Sequence, residues 1–215
     1  MFGLTIGDER MVVALPRNER LPETDSGRQA QVGSPALIGS LGAMSPSIDP
    51  SAWVAPGAVV VGAVSIGPGS SVWYGSVLRA DEDEISIGAE YNIQDLCCIH
   101  VDPGEPVVLE SLVSLGHHAT VHGAMVGEGA LVGIGAIVLG GARIGPRALI
   151  AAGAVVLPGT VVPGEVLYAG VPGRVIRELR EGDHALLGNT PKGYVDRAIR
   201  HREARWHDVS AGQSA

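Results

Sequence analysis

Aromatic residues and cysteine are scarce in this chain. Only 4% of its 215 residues are aromatic, although 46% are hydrophobic. The core must therefore be built from small aliphatic side chains, which favours a structure made of repeated pieces. The two cysteines, Cys97 and Cys98, are adjacent in a predicted strand, where neighbouring side chains point to opposite faces. This excludes a disulfide framework and predicts that one of the two thiols lies in the core.

Basic charge and long apolar runs are lacking as well. The 15 Lys and Arg residues are outnumbered by 23 Asp and Glu residues, and the formal net charge is -8. A nucleic-acid surface requires a concentrated basic patch, and none is visible. No apolar run reaches the roughly 18 residues that cross a bilayer, and the first residues have no positive segment followed by a long apolar stretch. We expect a cytoplasmic protein that binds neither nucleic acid nor membrane.

Glycine, in contrast, is abundant, with 31 residues, and it recurs in a six-residue period. Each hexad begins with an aliphatic residue and mostly carries a small residue at its fifth position. The hexads are IDPSAW, VAPGAV, VVGAVS, IGPGSS and VWYGSV from residue 48, then IGAEYN and IQDLCC, and later LGHHAT, VGEGAL, VGIGAI, VLGGAR, IGPRAL, IAAGAV and VLPGTV. This period is typical of parallel β-helices built from hexapeptide repeats.

The hexad predicts short parallel strands wound into a three-sided prism. The first and fifth residues point inward, and glycine and polar residues form the corners, where glycine adopts positive φ. Three hexads make one coil of about 18 residues, and successive coils stack about 4.8 Å apart. Parallel crossovers are generally right-handed, so the period by itself does not predict a left-handed prism.

The chain divides into three predicted segments. Residues 1–34 are polar and poor in pattern, and we expect a flexible N-terminal extension. Residues 35–173 form the repeat region, and residues 36–44 are expected to add a strand that caps the first coil. Residues 174–215 are expected to form a helical segment and a tail, with helical spacing in VIRELREGDHALL and PKGYVDRAIRHREARW. Tyr194, Val195, Ala198 and Ile199 would make one apolar face that packs against the prism.

The repeat assigns the histidines to columns. The first hexad positions are Leu78, Ile87, Ile93, Ile99, Leu109, Leu115 and Val121, with extra residues looping out near Asp83 and Pro103. The residues that follow Leu78, Ile99 and Val121 are Arg79, His100 and His122, which should stack on one face. Two imidazoles about 4.8 Å apart along a stack can converge on one zinc ion.

A second column lies on another face. Counting places Asp95 one coil before His117, and geometry alone does not separate His117 from its neighbour His118 as a third ligand. A residue on this face is better placed to reach a neighbouring subunit than to join His100 and His122. We therefore expect shared sites in a closed oligomer, such as a cyclic trimer. His184, His201 and His207 are expected to be solvated surface residues.

The spaced motifs resemble the γ-class carbonic anhydrases and their relatives. The resemblance covers about residues 36–200 and lies in RAD at 79–81, NIQD at 92–95, IH at 99–100 and GHHATVHG at 116–123, followed by VGIGA and AGVPGRVIREL. It implies an all-β fold, a left-handed parallel β-helix of hexapeptide repeats with a C-terminal α-helix. It also implies a homotrimer whose metal ligands are His100, His122 and, from the adjacent subunit, His117.

The resemblance also assigns roles around the metal. Arg79, Asp81 and Asp95 correspond to a charged network at the subunit interface, and Glu82 is a candidate for proton transfer. Asn92 and Gln94 match positions that hydrogen-bond metal-bound solvent in the family. These six residues complete the predicted catalytic set. Zinc is the expected metal, and imidazole ligands also accommodate Fe²⁺ or Co²⁺.

The implied reaction is the reversible hydration of CO₂ to bicarbonate by a metal-bound hydroxide. The sequence departs from the archetype after His100, where the short VDPGEP replaces a long acidic loop and offers only Asp102 and Glu105 as acids. This short form is typical of relatives with variable activity. Two other hypotheses therefore stay open, a catalytically weak metal-binding trimer with an assembly or regulatory role and, less favoured, a hexapeptide acyltransferase.

Overall fold

The structure, a computed structural model, describes residues 35–205. The extension expected over residues 1–34, residue His207 and the end of the tail lie outside the described residues. The elements, in chain order, are β1 (Leu37–Gly39), β2 (Ser47–Ile48), β3 (Trp53–Val54), β4 (Val59–Ile66), β5 (Ser71–Val72), β6 (Val77–Ile87), β7 (Asn92–Ile93), β8 (Cys98–His100), β9 (Val107–Leu109), β10 (Ser114–Leu115), β11 (Thr120–His122), β12 (Met125–Val126), β13 (Leu131–Val132), β14 (Ile137–Val138), β15 (Arg143–Ile144), β16 (Leu149–Ile150), β17 (Val155–Val156), β18 (Val161–Val162), β19 (Val166–Gly170), β20 (Gly173–Glu178) and α1 (Glu181–Arg202).

These strands form a left-handed parallel β-helix of about seven turns, which confirms the predicted fold class. The first face contains β1, the starts of β4 and β6, and then β8, β11, β14 and β17. The second face contains β2, the ends of β4 and β6, and then β9, β12, β15 and β18. The third face contains β3, β5, β7, β10, β13, β16 and β19, all parallel. Strand β1 pairs with β4, so the predicted capping strand is confirmed.

The core runs along the axis of the prism, and its residues are those at the first and fifth hexad positions. In the coil after Gly123 the inward residues Val126, Ala130, Val132, Ala136 and Val138 are all 1% exposed or less. Cys97 also points inward, and burial raises the pKa of its thiol to about 12, whereas Cys98 is exposed. One thiol is therefore buried, as the strand alternation predicts.

Two insertions interrupt the count in the first half of the prism. In β6 the pairing with β4 shifts between Ala80 and Ile85, so residues 81–84 bulge outward. Residues 102–105 form a turn in which the Glu105 N–H donates to the Asp102 carbonyl at 2.9 Å. The two insertions touch, because the Gly104 N–H donates to Asp83 Oδ2 at 3.0 Å. Extra residues thus loop out at the two predicted places.

Beyond the last coil, the structure differs from the helical spacing read in VIRELREGDHALL. Residues Gly173–Glu178 form β20, which pairs antiparallel with β19. The chain reverses at Gly170, whose φ is 105°, and β20 then forms hydrogen bonds with β19 at the open edge of the third face. The helix begins only at Glu181, where the Arg180 N–H donates to Asp183 Oδ2 at 2.8 Å.

Helix α1 packs on the third face, against β5 and β7. Its buried residues are Leu187, Pro191 and Ala198, and Tyr194 packs beside them. Ile199 is 56% exposed, so the expected apolar face was right for Tyr194 and Ala198 but wrong for Ile199. The helix ends over the first coil, where Arg202 Nη2 donates to the carbonyls of Ser51 and Ala52. Within residues 35–205, no helix is long and apolar enough to cross a membrane.

Two histidines expected at the surface have partners instead. His201 lies against the rings of Trp53, Trp73 and Tyr74, and its Nδ1 is 2.8 Å from the Tyr74 hydroxyl. His184 Nδ1 accepts from Arg147 Nη2 at 2.8 Å. The expectation of a solvated side chain was wrong for His201, because α1 lies on the prism along a surface that the repeat count does not describe. The His184 side chain is 41% exposed, so it is both solvated and paired.

Candidate metal centre

Three side chains stack in one column on the first face. Arg79 pairs with His100, and His100 pairs with His122, each one coil apart in parallel register. The structure thus confirms the register that hexad counting predicts. Because residues in register on a parallel sheet point the same way, both imidazoles leave the same face of the prism.

The two imidazoles of this column are in contact. His100 Nδ1 lies 3.0 Å from His122 Nε2, and the ring centroids are 5.0 Å apart. Two nitrogens that bind one tetrahedral zinc at about 2.0–2.1 Å lie about 3.3–3.4 Å apart. A small outward movement of the rings would therefore admit the ion. The donor set of these side chains fits a divalent transition metal.

Asp81 holds the far side of the His100 ring. Its Oδ1 lies 3.0 Å from His100 Nε2, and its other oxygen pairs with Arg79. Because a carboxylate oxygen can only accept, a neutral His100 would carry its hydrogen on Nε2 and keep the lone pair on Nδ1. Desolvation acts to raise the pKa of Asp81, but the hydrogen bonds from Arg79 and His100 lower it overall. A carboxylate in this place orients a metal-binding imidazole.

His117 has a similar arrangement at the corner between the third and first faces. Its Nδ1 lies 2.8 Å from Asp95 Oδ2, which leaves Nε2 open. The backbone confirms the column, because the His118 N–H donates to the Asp95 carbonyl at 2.9 Å. Among residues 35–205, however, the metal-capable group whose donor atoms lie within 4.8 Å of one another is His100, Asp102 and His122. His117 is not part of it.

Asp102 was not predicted as a ligand. Its Oδ2 lies 3.7 Å from His122 Nδ1. A sequence signal for it existed, since His100 and Asp102 are two residues apart and alternation puts them on the same side of an extended chain. The interruption of the hexads after His100 hid this spacing.

The other predicted catalytic residues lie apart from the two imidazoles. Asn92 and Gln94 are buried on the third face, where Asn92 Nδ2 donates to Ser114 Oγ at 2.7 Å and Gln94 Nε2 donates to Asn92 Oδ1 at 3.1 Å. Both residues lie within three positions of Asp95 in the chain, so they are associated with the column of Asp95 and His117 rather than with that of His100. Glu82 is exposed on the bulge of β6.

Exposed apolar residues surround both histidine columns. Leu96, next to Asp95, is 53% exposed, and Ile134, which follows His117 by one coil, is 55% exposed. On the first face, Ile137 pairs with Thr120 beside His122 and is 36% exposed. We call Leu96, Ile134 and Ile137 the apolar patch. A protein interface over these three side chains would remove their apolar surface from water.

Comparison with known proteins agrees with the motifs. The chain is 51% identical over 142 residues to a "Probable carbonic anhydrase" of Methanocaldococcus jannaschii, and the match covers 66% of this chain and 89% of the relative. The chain belongs to the γ-class carbonic anhydrase family. Within this family it is 37% identical over 163 residues to "Gamma carbonic anhydrase 2, mitochondrial" of Arabidopsis thaliana, a match over 73% of this chain and 59% of that protein.

Proteins with transferase names also match this chain. The family "Bacterial transferase hexapeptide (six repeats)" matches residues 123–158. A Bacillus cereus structure provisionally named an acetyltransferase superposes with a TM-score of 0.78 at 35% identity, covering 80% of this chain and all of that chain. Proteins named as transferases thus share the hexad with this chain, and the γ-class resemblance depends on the polar residues that the hexads carry.

Proposed function

We propose that this protein catalyses the reversible hydration of CO₂ to bicarbonate at a metal site shared between subunits of a homotrimer. His100 and His122 of one subunit and His117 of the next would hold the ion, for which zinc is the first choice and Fe²⁺ or Co²⁺ are also suited. The contact between the imidazoles of His100 and His122 is the observation that carries the proposal. The relatives named carbonic anhydrases support the reaction. The cytoplasmic location stays a prediction.

The three histidines are prepared for an ion by the residues around them. Asp81 and Asp95 each occupy one nitrogen of an imidazole and leave the other nitrogen open, at His100 and His117 respectively. When bound, a zinc ion would lower the pKa of a water molecule to about 7 and so supply a nucleophile for CO₂ near neutral pH. Neutral imidazoles suit this chemistry because they leave the positive charge of the ion uncompensated.

The remaining predicted residues support this centre. Arg79 pairs with Asp81, so that carboxylate keeps its place beside His100. Asn92 and Gln94 form a buried chain of hydrogen bonds just before Asp95 in the chain. They would help to fix Asp95, which in turn orients His117, the ligand contributed to the neighbouring subunit. Exposed Glu82 would pass protons to bulk water, since it follows Asp81 directly and reaches solvent.

The two columns support the proposed trimer. His117 leaves the prism at a different corner from the first-face histidines, and it is outside their group of donor atoms. If three prisms pack side by side around an axis, the corner of one meets the first face of the next, and three identical sites close. The apolar patch would be buried by this contact.

Stopped-flow measurement of CO₂ hydration on metal-loaded protein tests the reaction. We expect a rate above buffer that is lost in His122→Ala and in His117→Ala and is kept in His118→Asn, the matched control. Asparagine is suited to that position because His118 has φ 60. Stoichiometric metal without any rate would reject the reaction and favour the metal-binding assembly role. Turnover of acetyl-CoA that survives His117→Ala would favour the acyltransferase.

Subunit mixing tests the shared site. Neither His117→Ala nor His122→Ala has a complete site in its own homotrimer. After the two variants exchange subunits, a mixed trimer contains an intact first-face pair facing an intact His117, so part of the activity should return. A mixture of His100→Ala and His122→Ala is the control, because both lesions lie in the same column and no site is restored. Equal results for the two mixtures would contradict sharing.

A further inference from the structure

We propose that Asp102 is a metal ligand and that His100, His122 and Asp102 together hold a divalent transition-metal ion within a single subunit. This intrasubunit site goes beyond the proposed three-histidine site, because it needs no residue from a neighbour. It would allow each chain to bind its ion before assembly, with His117 of the neighbour joining later.

The donor atoms are already close together. One donor atom from each of His100, Asp102 and His122 lies within 4.8 Å of the others. His100 Nδ1 and His122 Nε2 are 3.0 Å apart. Asp102 Oδ2 lies 3.7 Å from the other nitrogen of His122, Nδ1, so its side chain must turn to reach an ion held between the two rings. Two imidazoles and one carboxylate form a known donor set for catalytic zinc and for Fe²⁺, which leaves further positions on the ion for solvent or another ligand.

Asp102 is also the uncommitted carboxylate of the centre. Asp81 is bonded to Arg79 and His100, and Asp95 is paired with His117. In the part of the chain that the structure describes, the Asp102 carboxylate has only the 3.7 Å ion pair with His122, which is too long for a hydrogen bond. It can therefore turn towards an ion without breaking another interaction.

The turn that carries Asp102 is held in place. Its tip is bonded to the other insertion, since the Gly104 N–H donates to Asp83 Oδ2 at 3.0 Å. Its last residue, Glu105, packs against Gly123, where an added Cβ would lie 2.9 Å from the Glu105 side chain. Both contacts keep this short turn against the prism beside His122. A ligand on a held turn loses little conformational entropy when it binds.

Metal binding by His117→Ala protein tests the proposal. We expect about one Zn²⁺ or Co²⁺ per chain by metal analysis after dialysis and by calorimetric titration. Adding Asp102→Asn should weaken this binding at least 10- to 100-fold, whereas adding Glu105→Gln, an acid of the same turn, should change it less than twofold. Absence of bound metal in His117→Ala, or equal affinities in the two double variants, would overturn the proposal.

A thiolate substitution separates a ligand from a residue that only orients His122. A thiolate bound to Co²⁺ produces a charge-transfer absorption in the near ultraviolet, which a nearby unbound thiol does not. In the His117→Ala background, Asp102→Cys should show this band and Glu105→Cys should not. Bound Co²⁺ without the band in Asp102→Cys would overturn ligation by residue 102. These are binding measurements, so a wild-type protein that binds metal but does not hydrate CO₂ would reject the proposed reaction and leave this site supported.

Discussion

The coils that carry the histidines and the coils that follow them share one hexad but differ in regularity. Between Arg79 and His122 two insertions interrupt the count, and every predicted metal ligand and acid lies in this stretch or beside it. From Val126 to residue 158 the hexads continue without a break, and this is most of the part, residues 123–158, that the hexapeptide family matches. Regular coils thus provide the stack, and the two insertions add the acids Asp81, Glu82 and Asp102 beside histidines that follow the hexad count.

The largest expected effects are a loss of stability from a substitution in the regular coils and a loss of metal binding from a substitution in the coils that carry the histidines. Ile150, in the regular coils, is fully buried, and Ile150→Ala should lower the free energy of unfolding by about 2–5 kcal/mol. Metal bound per folded chain should not change. His122→Ala should do the reverse, with loss of the three-histidine site and a stability of the metal-free protein within about 0.5 kcal/mol of wild type. Urea unfolding and metal analysis measure the two effects.

The opposite result for Ile150→Ala would contradict this division of roles between the two regions. If folded Ile150→Ala protein failed to bind metal, the regular coils would be positioning the ligands and not only supporting them.

Glycines inside the regular stack should be less tolerant than glycines at its corners. A Cβ at Gly133 would lie 2.5 Å from the backbone nitrogen of Ala152 in the next coil, so Gly133→Ala must push two coils apart. We expect a loss of about 1–3 kcal/mol in urea unfolding. Gly159 has φ 66 with nothing within 4 Å, and Gly159→Asn is the control, since asparagine tolerates this conformation. Equal losses in the two variants would mean that coil spacing is not the constraint.

The irregular coils should contain a core position that can be improved. Tyr91 is 1% exposed, and its hydroxyl has no hydrogen-bond partner among the described residues. Tyr91→Phe removes that buried polar atom and should raise the free energy of unfolding by up to about 1 kcal/mol. A loss of stability would show that the hydroxyl has a partner in solution, such as a buried water. Differential scanning calorimetry measures the change.

Low pH should have the smallest effect on stability, and it should act on helix α1, which lies outside both sets of coils. Hydrogen bonds from Arg177 and from the Arg180 backbone lower the pKa of Asp183 to about 2. Because this folded-state pKa lies below the unfolded value of about 3.9, the stabilisation is present above that value and is lost as pH falls towards 2. Helical circular dichroism should decline over this range in wild type and be less pH-dependent in Asp183→Asn. Identical profiles would contradict the assignment.

Much of the candidate site was predictable from the repeat. The period gives an inward or outward direction to every residue, so the columns of His100 with His122 and of Asp95 with His117 follow from counting. The choice of His117 over His118 came from family resemblance, and the structure adds the ion pair with Asp95. Family membership and the fold class are confirmed, whereas the ligand roles and the trimer stay predictions.

The errors fall where the period ends. Asp102 lies in an insertion, where the count assigns no direction to a side chain. Helical spacing misassigned residues 175–178, because the open edge of the third face offers backbone hydrogen bonds that favour a strand. The prediction of a solvated His201 fails because nothing in the repeat shows where a helix will lie on the prism. Contacts between the repeat and other segments are long-range, and local spacing does not contain them.

The parallel register has a consequence for insertions and deletions of whole coils. The vertical separation of His100 and His122 is the thickness of one coil, so the backbone itself serves as the ruler of the site. Adding one complete coil of about 18 residues after Gly123 would lengthen the prism and leave this separation unchanged. The same addition between Val101 and Val121 would double it to about 9.6 Å, so two imidazoles that point the same way would no longer be in contact. Coil number can therefore vary freely in one half of the molecule and not in the other.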